Sequence, residues 1–400
     1  MTTRPLLPPW VSRGVVGIVL ATFFSDVGHE MVTAVLPLYL TTIGLGPAAL
    51  GVMEGAADFA FSLSKLAGGF AGHHVKHKKP LAAAGYSVTA IGTAAIAFVS
   101  SAVAVGTLRV AAWFGRGFRS PLRDFLLADE VEPTHFGRAY GVERTADMLG
   151  AVAGPLLALA LLWLGVSIPT LIAVSIVPAL LAVVFIAGFT HDKPASIAAA
   201  ALRRASHRLP RRFWLFLVGV LLFGLGDFSR TSLIFLVADQ MGGSAIPGAL
   251  TAGVIAYTAH NVVSGIAAFP AGRAGDRLPK WKVLAVGYGL GVVTNAVLAG
   301  AFASLVGLAV AVVGSGIYIA IEETIEKSAV AELLPREQRS FGFGILACAN
   351  AVGDMVSSLY VGALLAAGHG RVAFALAALF GVLGLGWVVL VGRRSPAPAR

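Results

Sequence analysis

Three ionisable residues share one face of an apolar stretch near the N-terminus. In Phe24-Ser25-Asp26-Val27-Gly28-His29-Glu30-Met31 the acids and the imidazole stand at i, i+3 and i+4, which is one stripe of a helix. Such a stripe can carry protons, because burial disfavours ionised carboxyls and His titrates near neutral pH. It can also ligate a divalent metal through Asp26, His29 and Glu30, or form a structural polar knot with arginines of other helices. A second stripe supplies such arginines: Arg109, Arg116, Arg119 and Arg123, spaced by seven, three and four residues. Arg109 and Arg116 suit contact with an anionic solute or a protonatable acid. Arg119, Arg123 and the neighbouring Asp124 suit snorkelling or interhelix pairing near a helix end. A third candidate is Gly224-Leu225-Gly226-Asp227-Phe228-Ser229-Arg230, where glycines loosen the helix around Asp227 and Arg230. Glu54, Asp58, Lys65, His260, Asn261 and Asp354 add further polar groups to apolar segments.

The elements that hold these residues are membrane spans. Hydrophobic residues make up 57% of the chain and charged residues 12%, about half the usual share of charge in a soluble domain; mean hydropathy is +0.83. Runs long enough to cross a bilayer predict twelve helices, at 15–40, 48–72, 81–101, 103–126, 139–163, 166–189, 213–238, 247–271, 283–303, 305–330, 342–367 and 372–391. Ionisable groups at that depth are costly and must face a cavity or a partner. The 48 glycines fit close packing of helix backbones in lipid. A net charge of +10 reflects topology rather than nucleic-acid binding: 21 of the 30 basic residues fall in loops and ends on one side, eight in spans, and Arg371 alone on the other side. The positive-inside rule then puts both termini in the cytoplasm. Cys348, the single cysteine, allows no intramolecular disulfide, and residues 1–13 show no removable signal peptide. Gly-x-Ser-x-Gly, His-Glu-x-x-His and phosphate-loop patterns are absent, so neither an enzyme nor a cofactor is expected.

The chain repeats itself. Gly69-Phe70-Ala71-Gly72-His73-His74-Val75-Lys76-His77-Lys78-Lys79 and Gly272-Arg273-Ala274-Gly275-Asp276-Arg277-Leu278-Pro279-Lys280 are polar turns 203 residues apart, each after two spans and before a third. The same offset matches Gly141 with Gly344, Asp147 with Asn350 and Gly150 with Gly353, and an offset of 201 matches Asp26 with Asp227. Two homologous six-helix bundles are expected, 1–190 and 213–400, joined by a basic linker at 191–212 that either rests on anionic headgroups or serves as a solvated tether. Arg119 matches Glu322 and Arg123 matches Glu326, so opposite charges replace each other between the halves. Glu322 and Glu326 share a face, and Glu323 can reach Lys327. With Arg144 and Asp147 these groups are expected to form salt bridges that break and reform as the halves rock, or to pair statically within each half.

These features resemble the major facilitator superfamily across almost the full length. The family's turn motif, Gly-x-x-x-Asp-Arg-x-Gly-Arg in type, is matched by Gly272, Asp276 and Arg277; the first turn keeps Gly69, Lys78 and Lys79 but has His73 at the acid position and Lys76 at the glycine. His73 could make that helix-end contact pH-sensitive, and His73, His74 and His77 read as basic loop character more simply than as a metal cluster. Gly150-Ala151-Val152-Ala153-Gly154-Pro155 is similar to the Gly-x-x-x-Gly-Pro element of proton-antiporting exporters, with Ala158 and Leu159 where that element ends in glycines. Its proline removes a backbone hydrogen bond, so the segment can pivot. Arg109 with Gly115 and Gly117 resembles the family's membrane arginine and spaced glycines. The resemblance implies an all-α integral membrane protein of twelve transmembrane helices in two pseudo-symmetric bundles, a monomer in a bacterial inner membrane, working by alternating access. It implies proton-coupled efflux of a small molecule, with a metal or metal-chelate exporter and a proton-coupled uptake symporter as alternatives. The arginine stripe favours a small organic anion or amphipathic solute, and Asp26, His29 and Glu30 keep a metal open.

Overall fold

A computed structural model describes residues 8–45, 47–192, 209–228, 236 and 247–394. Its helices are α1 (Arg13–Thr42), α2 (Pro47–His74), α3 (Lys79–Ala95), α4 (Ala102–Glu130), α5 (Phe136–Trp163), α6 (Ile168–Val174), α7 (Ile176–Phe189), α8 (Arg211–Gly224), α9 (Pro247–Arg277), α10 (Lys280–Ala301), α11 (Leu305–Leu333), α12 (Arg336–Ala366) and α13 (Gly370–Arg394). A break at Ser175, whose hydroxyl bonds back to the Ile172 carbonyl at 2.7 Å, divides the sixth span into α6 and α7. With that pair counted once, the described helices fall at the twelve expected spans, but the seventh, expected over 213–238, is a continuous helix only over Arg211–Gly224, and 229–235 with 237–238 lie outside the described residues. By length and apolarity alone, eight of them qualify as candidate membrane spans. The helices outside that set include α4, which carries the four arginines, and α8, whose described part is only 14 residues long.

The helix ends follow from local sequence. Ser12, Ser101 and Ser167 cap α1, α4 and α6 by accepting the amides of Val15, Ala104 and Thr170, which would otherwise lack partners. Gly44, Gly165 and Gly368 terminate α1, α5 and α12 with φ of +78°, +79° and +75°, a conformation that favours glycine. Each is followed by an amide that bonds back to the helix: Leu45 to Leu40, Val166 to Leu161 and His369 to Leu364. Large apolar side chains such as Phe98, Trp163 and Ile266 remain exposed, as helices facing lipid require.

Backbone contacts divide the chain into two units. The first comprises Met1–Ala139, Ala146–Arg208 and Leu334–Cys348; the second comprises Tyr140–Thr145, Leu209–Leu333 and Ala349–Arg400. In the first unit one core joins α1 and α6 through Met31, Val35, Leu36, Leu171 and Ile172. The second has one core around Phe223, Tyr288, Tyr318 and Ile325, and another around Phe228, Leu298, Val361 and Phe374.

The polar turns are more helical than the sequence pattern suggests. Gly69 to His74 form the last turns of α2, and Gly272 to Arg277 those of α9. The reason for the first is packing: a Cβ on Gly69 would lie 2.8 Å from the Gly344 Cα, and one on Gly72 would strike the Ser340 side chain, so α2 continues against α12. The linker expected at 191–212 lies outside the described residues from 193 to 208. At its start, Asp192 accepts the Lys79 amide at 3.1 Å, and the His191 amide donates to Glu130 at 3.2 Å.

Candidate functional site

The first unit brings the predicted acids and arginines together. Arg109, about 1% exposed, forms a fork on Glu54 with Nε–Oε1 at 3.0 Å and Nη2–Oε2 at 3.2 Å, and both of its Nη atoms reach Thr33 Oγ1 at 3.3 Å. One face along, Arg116 spans two of the three predicted residues of α1: its Nη2 lies 2.9 Å from Asp26 Oδ1 and its Nη1 3.7 Å from Glu30 Oε1. The third, His29, packs its buried ring edge-on against Trp113 at 5.0 Å. Trp113 also lies under both guanidinium groups, 5.2 Å from Arg109 and 5.7 Å from Arg116. The indole thus offers both cations a π surface within cation–π range.

Helix α5 presses on this acid face because it carries glycine there. A Cβ on Gly150 would stand 2.7 Å from the Phe23 carbonyl and 2.8 Å from the Asp26 Cβ; one on Gly154 would stand 2.8 Å from both the Glu30 Cβ and the Val27 carbonyl. Pro155 follows inside the same helix. Asp147, one turn before Gly150, is a charged neighbour of Asp26. Arg119, farther along α4, donates to Ser25 Oγ at 2.7 Å and stacks over Tyr86 at 3.8 Å. Arg123 bonds Asp124 Oδ1 through Nε at 3.2 Å and Nη2 at 3.0 Å.

In the second unit the helix ends at Gly224, followed by turn bonds from Gly226 to Phe223 and from Asp227 to Gly224. The carbonyls released there are taken by side chains: Tyr360 bonds Leu225, Asn295 bonds Gly226, and Ser357 bonds Asp227. Asp227 Oδ1 accepts from Tyr318 Oη at 2.7 Å; Arg230 lies outside the described residues. Glu326 accepts Tyr288 Oη at 2.6 Å and Asn350 Nδ2 at 2.9 Å. Glu323 pairs with Arg144 at 2.7 Å, and Lys327 with Glu143 at 3.6 Å. Both ion pairs tie α11 to the 140–145 segment of α5.

Around the first turn, His73 Nδ1 lies 3.2 Å from the Glu337 carbonyl, Lys78 sits over the Phe125 ring at 4.3 Å, and Lys79 Nζ donates to the Thr190 carbonyl at 3.1 Å. Around the second, Gly272 is buried, Asp276 half-buried and Arg277 exposed. Asp129 and Arg336 add a fork the motifs did not suggest. Among the described residues, no three His, Cys, Asp or Glu side chains converge as a metal ion would need.

Sequence reasoning missed Trp113, Ser25, Thr33 and Tyr86. Trp113 had a usable signal: it lies four residues after Arg109 and three before Arg116, on the arginine stripe itself. Ser25, Thr33 and Tyr86 look ordinary in an apolar helix and become meaningful only once an arginine reaches them.

A duplicated set of membrane helices with charged side chains paired inside its spans defines a membrane transporter rather than an enzyme. The chain matches the Major Facilitator Superfamily over residues 18–259 and 251–400, and it belongs to that family. An uncharacterized transporter of this type from Methanocaldococcus jannaschii is 24% identical over 286 residues, which is 70% of each chain. Among solved structures, the human organic anion transporter MFSD10 superposes with a TM-score of 0.72 at 15% identity, covering 96% of this chain and all of that one. The Escherichia coli fucose:proton symporter FucP superposes with a TM-score of 0.71 at 15% identity, covering 96% and 98%. The fold is therefore the all-helical twelve-span fold of this family.

Proposed function

We propose that the protein is a proton-coupled secondary transporter of a small organic anion, using Arg116, Asp26 and Glu30 as its coupling centre. The observation that carries the reading is the position of Arg116 between two carboxylates, 2.9 and 3.7 Å away, in the interior of one unit. A guanidinium cannot lose its proton at any working pH, so its charge must always be matched. When Asp26 or Glu30 takes a proton, Arg116 loses part of that match and an anionic solute can supply it. When the anion leaves, Arg116 returns to the acids and the proton is displaced. Arg109, held by Glu54 and Thr33, keeps the neighbouring positive charge in place, and Trp113 lies within cation–π range of both cations. Similarity in fold to an organic anion transporter and to a proton symporter supports both halves of this scheme.

The sign of coupling follows from the competition. Anion and proton bind the centre together, so they move in the same direction, which is symport. Proton-antiporting efflux, the direction suggested by the Gly150, Gly154 and Pro155 element, requires an amphipathic solute whose cationic part displaces the proton from Asp26 or Glu30. The placement of those two glycines directly on Asp26 and Glu30 favours keeping this second reading. For the cell we propose a bacterial inner membrane with both termini cytoplasmic, supported by the 21 basic residues gathered on one side.

Reconstituted into liposomes with an internal pH dye and screened against organic anions, the protein should move protons only when a transported anion is present. Arg116→Gln should abolish both fluxes, and Arg116→Lys should retain a small part of each. Proton flux with the anion supports symport, flux against it supports efflux, and anion flux indifferent to Arg116 would overturn the centre.

A further inference from the structure

The second unit buries carboxylates in a way the Arg116 centre does not use. Glu322, on α11, is 4% exposed, and its Oε2 is fully buried with no hydrogen-bond partner. Its surroundings are acidic: Asp227, Glu323, Glu326 and Asp354 are its charged neighbours. The donors in this pocket go elsewhere. Tyr318, one turn before Glu322 on the same stripe, donates its hydroxyl to Asp227 at 2.7 Å, and Tyr288 and Asn350 occupy the two oxygens of Glu326 at 2.6 and 2.9 Å. The basic groups nearest on the helix are also engaged: Arg144 pairs with Glu323 at 2.7 Å and Lys327 with Glu143 at 3.6 Å. His260, on the packed helix α9, faces Ser315 two turns away. Glu322 is thus the acid for which the described residues supply no counter-charge and no donor to Oε2.

A bare carboxylate at Glu322 would add a buried negative charge that the described residues do not compensate at Oε2, an unfavourable arrangement for a fold to hold. A single cation relieves it. The convergent ligand set that a divalent metal requires is absent among the described residues, and one unpartnered oxygen has room and valence for a proton.

We propose that Glu322 is a proton-binding site of the C-terminal half, a neighbour of Asp227, whose Oδ1 takes the Tyr318 hydroxyl, and of Glu326, whose two oxygens take Tyr288 and Asn350. Only its consequence for transport rests on the proton-coupled reading above: a proton at Glu322 would be a second seat, separate from Arg116, Asp26 and Glu30. The site also lies next to Glu323, so loss of the proton would place a new negative charge beside the ion pair with Arg144.

The test reads the proton without any solute. In pH-difference infrared spectra of the full chain in liposomes, wild type and Glu332→Gln, a change at the far end of the same helix, should share a protonated-carboxyl band that Glu322→Gln lacks. Dicyclohexylcarbodiimide, which reacts with protonated acids in apolar surroundings, should label Glu322 of the wild-type protein increasingly as pH falls, as mapped by mass spectrometry. The labelling uses the unmodified chain and so stands even if Glu322→Gln does not fold. A Glu322→Gln spectrum superimposable on wild type, an absence of label on Glu322 at any pH, or a band erased by sodium at constant pH would overturn the assignment. Failure here with Arg116-dependent flux intact would remove the second seat alone, whereas labelled Glu322 without coupled flux would remove the transport reading alone.

Discussion

At the scale of single residues, the arginines of α4 differ by what holds them. Arg109 is almost fully buried and makes a two-pronged contact with Glu54 plus two bonds to Thr33. Lysine keeps the charge but cannot reproduce a planar fork, so Arg109→Lys leaves Glu54 and Thr33 poorly matched. Glu54 is about a third exposed and lysine keeps the charge, so the loss is that of a charged hydrogen bond, about 1.5 kcal/mol, and a fall in the melting temperature of the detergent-solubilised protein is expected. Arg109→Gln, which leaves Glu54 without its counter-charge, should cost more than Arg109→Lys, and combining it with Glu54→Gln should recover part of that loss; an unchanged melting temperature for Arg109→Lys would show that the fork carries little. The stripe itself was legible because period-3.6 spacing is a property of the chain alone. Its partners were not, because Ser25, Thr33, Tyr86 and Glu54 come from three other helices, and residue spacing carries no information about which helix faces which. The role of Trp113 was hidden for another reason: an indole in an apolar span is expected to face lipid or headgroups, and only the arginines on either side give it a different task.

At the scale of helices, glycine decides which pairs approach. Gly150 leaves space for the Phe23 carbonyl, and a methyl group there would stand 2.7 Å from that oxygen, which is backbone and cannot swing away. Gly150→Ala should therefore push α5 off α1, lengthen the distance from Asp147 and Gly154 to the acid face, and lower coupled flux several-fold. Gly51→Ala, where nothing lies within 4 Å, should leave flux unchanged and serves as the control. Equal behaviour of the two variants would mean that the close contact has no part in transport. Most spans were readable from apolar length and agree with the described helices to within a few residues; the seventh, expected at 213–238, stops at Gly224, where the glycines of Gly224-Leu225-Gly226 release the helix. Their ends were less readable. Gly69 and Gly72 look like turn residues in sequence, yet contact with α12 keeps them helical; Gly165 and Gly368 look like two glycines among 48, yet they stop helices through positive φ.

For the whole molecule, the duplication is preserved in packing and lost in charge. Gly150 closes on Phe23 and its repeat equivalent Gly353 closes on Gly224; Phe23 and Gly224 are themselves separated by the 201-residue offset of the first spans. Gly141 closes on Ala268 and Gly344 on Lys65, again residues 203 apart. Even the terminators Gly165 and Gly368 obey the same offset. Backbone approach is thus inherited in both copies, whereas the ion pairs are not: the counterparts of Arg144 and Glu323 are Ala347 and Ser120, which cannot pair. A contact retained by duplication can be explained by folding alone. One present in a single copy calls for a task of its own, and the expected task is to bias one conformation of the transport cycle. Arg144→Glu and Glu323→Arg should each weaken coupled flux, because each leaves two like charges facing across a largely buried contact. The double exchange should restore it, with a coupling of about 1–3 kcal/mol when flux or stability is read as a double-mutant cycle. Glu143 and Lys327, joined at 3.6 Å one turn away, should show a weaker coupling of the same sign. Strictly additive effects for Arg144 and Glu323 would mean that the pair does not act as a unit, and the asymmetry between the copies would then have no part in gating.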